Sequence, residues 1–151
     1  MYKKILIGIE NLEDARKALN KVRDFYETWN SEIVVFHTIE RYIYPISVPI
    51  FGWGYALPGA TYSTARYEYY TAGRTLLEET KKIFEKEGIS IETRLIEEIK
   101  PEDYAEEVVQ KENFDLVIIG EKEHHSRLES LFGSVPTHIV NEVDSDVLVL
   151  H

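Results

Sequence analysis

Gly120, Gly133 and Ser134 are the residues of this chain best placed to hold a phosphate. Gly120 closes the apolar run DLVIIG, and Gly133 opens a segment whose inward positions, Val135, Ile139 and Val143, predict a helix over residues 133–143. A helix amino terminus presents free backbone N–H groups and a partial positive charge to an anion. Ser134 adds a hydroxyl donor there, with Val135 beside it. The intervening loop has the opposite chemistry: Glu121, Glu123 and Glu129 face only Lys122 and Arg127 in compensation. A carboxylate about 4 Å from a phosphate, at an effective dielectric of about 20, opposes it by about 4 kcal/mol per pair of unit charges. That is roughly a thousandfold in affinity. A magnesium ion bridging Glu123 or Glu10 to a triphosphate reverses the sign. AMP, with fewer charges, meets less opposition than ATP. On the competing reading the glutamates sit on a solvated loop and point into water.

Other reactive side chains form no constellation. His124 and His125 are adjacent, so in extended backbone they point apart, and no HExxH pattern accompanies them. There is no Gly-x-Ser-x-Gly elbow, no complete phosphate-binding P-loop and no cysteine, so no nucleophile–base pair stands out. The aromatic tract Tyr62, Tyr67, Tyr69 and Tyr70, with Phe51, Trp53 and Tyr55 before it, could stack on a base or cover the pocket, but suits a core or interface better. His138 falls on the last helix, toward solvent or a partner.

Parallel strands must position the phosphate residues. Short apolar runs predict buried strands over 4–9, 32–38 and 115–119, an edge strand over 90–96, and a final strand, Asp146–Leu150. Helices are predicted from an Asn11 cap to about residue 28, over 62–87, and from Pro101 onward. In the long helix, Ala65, Tyr69, Ala72, Leu76, Thr80 and Ile83 form the expected inner stripe. Residues 41–61, rich in Pro and Gly, read as a long irregular loop. Alternating strands and helices predict an α/β fold with a doubly wound parallel sheet and helices on both faces. Ligands in such sheets bind beyond the carboxyl ends of the strands, where strand order reverses. That places Ile9, Glu10, Asn11, His37, Thr38, Gly120, Lys122, Glu123, Gly133, Ser134 and Val135 around one crevice.

Over nearly its whole length the chain resembles the universal stress protein family. The resemblance is carried by ILIGIE, IVVFHT, KEGISIETRL, DLVIIG, FGSVPTHIV and DVLVLH. ATP-binding members have Gly-x-x-Gly, nine residues, then Gly-Ser or Gly-Thr; Gly120, Gly133 and Ser134 match, while Glu123 replaces the middle glycine. Glu10 stands where members place an Asp near the adenosine, and His37 stands near the adenine pocket. The resemblance implies a three-layer sandwich with a five-stranded parallel sheet in order 3-2-1-4-5. It also implies a stress-linked cytoplasmic role and homodimers paired through Asp146–Leu150. An edge strand with the apolar run VLVL fits that pairing.

Bulk properties narrow the partners. A length of 151 residues with 44% hydrophobic residues fits a single domain. A net charge of −10 repels nucleic acid and anionic lipid. No stretch approaches about 18 consecutive apolar residues, and the apolar part of MYKKILIGIE is too short for a signal core. The expected function is binding of an adenine nucleotide, ATP or AMP, with magnesium accompanying ATP. The alternatives are a dimeric scaffold without nucleotide and a slow ATPase.

Overall fold

The computed structural model describes residues 1–39, 47–50, 53–56, 58–120 and 135–151. Strand β1 (Lys4–Gly8) leads into helix α1 (Leu12–Trp29), and β2 (Glu32–Ile39) follows. Strands β3 (Ser47–Ile50) and β4 (Trp53–Ala56) precede the long helix α2 (Pro58–Lys86). Then come β5 (Glu92–Glu97), α3 (Pro101–Glu112), β6 (Leu116–Gly120), α4 (Val135–Glu142) and β7 (Asp146–Leu150).

The main sheet has five strands, all parallel, in order β5-β2-β1-β6-β7. Numbering only these five along the chain gives the expected 3-2-1-4-5. The chain first winds outward from β1 through β2 to β5, then crosses back to β6 on the other side of β1. The reversal point is therefore the β1/β6 junction, where Gly8 pairs with Ile119.

Both faces of the sheet are covered, so the central strands are apolar at successive positions rather than alternating. On one face Ile5, Ile7, Ile33 and Val35 pack against Ala15, Leu19 and Val22 of α1 and Leu77 and Phe84 of α2. On the other, Leu6, Val34, Phe36 and Val117 meet Ala105, Val108 and Val109 of α3 and Ile139 of α4. Asn30 and Asn113 end α1 and α3 in the left-handed conformation, with φ of 51° and 56°, and each donates its N–H to the last turn.

Two expectations need correction. Within 41–61, β3 and β4 pair antiparallel with Ile50 opposite Trp53, and α2 starts at Pro58 rather than near residue 62. In a two-stranded ribbon every strand has a free side, so Pro49 need cost no ladder bond. Proline also suits the first helical position, which has no intrahelical N–H bond to lose. The most buried positions of α2 are Gly73, Leu77, Thr80 and Phe84; of the expected stripe Thr80 is buried and Leu76 and Ile83 pack half-buried beside it, whereas Ala72 is exposed and Tyr69 is 38% exposed. Tyr67 and Tyr70 are also exposed, so none of these three tyrosines belongs to the core of this chain. His138 is exposed on α4, as expected.

Candidate functional site

Three strand ends converge on the reversal point. β1 delivers Ile9, which is buried, and then Glu10 and Asn11, which are exposed. β2 delivers His37 and Thr38, both half-buried, and β6 delivers Gly120. The Ile9 N–H donates to the Phe36 carbonyl at 3.1 Å, extending the β1–β2 ladder past the last paired residues.

Asn11 is the N-cap of α1, with φ −153° and its Oδ1 accepting the Asp14 N–H at 2.9 Å. Asp14 reaches back, and its Oδ2 accepts the Glu10 N–H at 3.0 Å. The pair works as a capping box displaced by one residue. It fixes both the entry of α1 and the carboxylate of Asp14. That carboxylate lies against Gly120: a Cβ at residue 120 would stand 2.6 Å from Asp14 Oδ1 and 2.8 Å from its Cγ. Glycine at this position thus makes room for Asp14, whatever else it does for the loop that follows.

His37 joins two strands. Its Nδ1 lies 2.8 Å from the Ile9 carbonyl oxygen. A carbonyl can only accept, so Nδ1 carries the proton, and a neutral ring then keeps Nε2 as an acceptor. On its other side the imidazole meets α2: a Cβ at Gly73 would be 3.1 Å from His37 Cδ2 and 2.8 Å from Leu95 Cδ1. Glycine lets the helix approach the sheet closely at this point.

The fourth strand end is acidic. Arg66 of α2 places Nη2 2.8 Å from Glu97 Oε2. Glu98 then turns the chain with φ 64°, donating its N–H to the Ile39 carbonyl at 2.9 Å.

Of the expected site residues, Ile9 and His37 are in direct contact, and Glu10, Asn11 and Gly120 are linked through Asp14. Thr38 lies one residue beyond His37, paired with Ile96. Lys122, Glu123, Gly133 and Ser134 lie outside the described residues, as do His124 and His125. Val135 begins α4. Asp14 and Gly73 were not expected at the site. Each had a signal: Asp14 follows Asn11 at the capping-box spacing, and a glycine inside a helix costs about 1 kcal/mol unless close packing requires it. An open cleft of about 670 Å³ lies at the opposite end of the sheet, lined by residues including Tyr26, Asn30, Lys81 and Thr93, and shares no residue with this crevice.

Comparison with known proteins agrees with this architecture. The universal stress protein MJ0577 of Methanocaldococcus jannaschii is 27% identical over 157 residues, covering 99% of this chain and 95% of its own length. The solved structure of a universal stress protein in complex with cAMP matches with a TM-score of 0.68 at 18% identity, covering 99% of this chain and 97% of that one. A universal stress protein family protein from Arabidopsis thaliana, solved with AMP bound, matches with a TM-score of 0.62 at 15% identity, covering 98% of this chain and 90% of that one. The profile of the Universal stress protein family matches residues 1–151, and the chain belongs to that family.

Proposed function

We propose that this chain binds an adenine nucleotide, AMP or magnesium-ATP, in the crevice beyond β1, β2 and β6, and acts as a single-domain cytoplasmic protein of the stress response. In this role Gly120, Lys122, Gly133, Ser134 and Val135 surround the phosphate, with Glu123 on the same loop. Ile9, Glu10, Asn11, His37 and Thr38 face the adenosine. The carrying observation is the convergence of Ile9, His37, Glu10 and Gly120 on the reversal point of a doubly wound sheet, where this architecture collects ligands. The two solved relatives named above hold AMP and cAMP, each with a single phosphate.

Titration calorimetry with AMP, and with ATP in the presence and absence of magnesium, tests the proposal. Micromolar binding that Gly133→Asp abolishes supports it. No heat and no thermal shift at millimolar nucleotide overturn it.

A second role, a dimeric scaffold, has its own observation. β7 is an edge strand, and Val147, Leu148 and Val149 are only half-buried there. Pairing of two β7 strands would cover that edge in a homodimer. The scaffold role gains if the dimer forms and nucleotide does not bind.

A further inference from the structure

We infer that Asp14 sets the specificity of the crevice, as a fixed acceptor that selects ligands with hydroxyl donors and at most one phosphate over di- and triphosphates free of divalent cation. This rests on the nucleotide function proposed above and adds the class of nucleotide to it.

The carboxylate is held at the reversal point, not free to swing away. Oδ2 accepts the Glu10 N–H at 3.0 Å, and Asn11 holds the Asp14 backbone N–H at 2.9 Å. Oδ1 faces Gly120, the glycine from which the phosphate loop starts. A phosphate brought against Gly120 would therefore meet a carboxylate across the β1/β6 junction. The same two bonds change what α1 offers. A helix start would normally aim its unpaired N–H groups at an anion, but here the Asp14 N–H is already taken by Asn11. The Glu10 N–H just before the helix is taken by Asp14 itself. Glu13 also stands in this first turn, with its charge offset by Lys17 Nζ at 2.8 Å, so the repulsion rests on Asp14. The Leu12 and Glu13 N–H groups still open the helix, but the fixed side-chain group at this corner is the Asp14 carboxylate, an acceptor. Ribose hydroxyls can donate to a carboxylate in charge-assisted bonds, whereas each added phosphate charge is repelled.

The test is calorimetric titration of adenosine, AMP and ATP in EDTA at low salt, with the wild-type chain and Asp14→Asn. The amide keeps the shape and an oxygen for the Glu10 N–H while removing the charge. Wild type should bind AMP about tenfold or more tighter than ATP, and Asp14→Asn should narrow that ratio by about tenfold. If Asp14→Asn does not fold, Asp14→Ser is the second variant. Raising the salt should also narrow the wild-type ratio. The readout is the ratio, so a loosened fold, which weakens all three ligands alike, does not imitate the effect. Wild type preferring ATP in EDTA, or a ratio unchanged by the substitution, overturns the role of Asp14 and leaves nucleotide binding standing. No binding of any of the three overturns both.

Discussion

Gly73 of α2 lies directly against His37 of β2, so close that a Cβ on residue 73 would stand 3.1 Å from the imidazole Cδ2. The helix, the histidine and the Ile9 carbonyl thus form one stack, and the position of the ring depends on the absence of a side chain at 73. Gly73→Val should lower stability by about 1–3 kcal/mol through overpacking. It should also shift the His37 ring resonances in NMR. A urea midpoint equal to wild type would contradict the close approach.

His37→Phe keeps an aromatic ring, somewhat larger than imidazole, and removes the donor to Ile9. The carbonyl then loses its partner, and stability should fall by about 1–2 kcal/mol by chemical denaturation. If the adenosine lies beside His37, the affinity for AMP should fall as well. An unchanged affinity would take His37 out of the binding site.

Gly120→Ala places a Cβ inside the space of the Asp14 carboxylate. Alone it should destabilise by about 1–3 kcal/mol. Combined with Asp14→Gly, much of that cost should vanish, giving a coupling of about 0.5–3 kcal/mol in a double-mutant cycle. Additive effects would mean that the two residues do not compete for the same volume.

Acid sensitivity should trace in part to Glu112. Arg94 Nη1 and Nη2 grip its two oxygens at 2.7 Å and 3.0 Å, and Lys4 Nζ adds a bond at 3.2 Å. The guanidinium of Arg94, helped by Lys4, holds the Glu112 carboxyl below the usual carboxylate range, while partial burial works the other way. A depressed folded-state value gives stability that is fully present above the unfolded value of about 4.3 and is lost as pH falls through the folded one. Glu112→Gln should therefore cost about 1–2 kcal/mol at neutral pH and flatten the loss of stability below about pH 4.3. A variant with the wild-type acid profile would exclude this pair as a contributor.

The buried strands were readable because a strand covered on both faces must be apolar at successive positions, as ILI and VIIG are. From those runs the parallel order and the reversal point followed. The β3–β4 ribbon was not readable, because Pro49 and Gly54 count against a strand unless its free side is known. The stripe of α2 was legible in its second half, where Leu76, Thr80 and Ile83 face the core, but not at Tyr69 and Ala72, which repeat with the same period as the true stripe through Gly73, a residue with no side chain to mark it. At the site, strand ends and glycines were legible from topology. Asp14 was not, because an acid in a first turn already has a sufficient local reason in the helix dipole. Its contact with Gly120 appears only once β1 and β6 are neighbours.

The two outer strands of the sheet differ in kind. β5 carries Glu92, Arg94 and Glu97, with Arg94 bonded to Glu92 at 2.6 Å and Glu97 held by Arg66. β7 carries VLVL. Charges studding one margin disfavour strand addition there, while the half-buried apolar margin opposite suits it better. If two copies pair through β7, the charged β5 margins left outside would disfavour further strand addition, and the assembly would end at two copies.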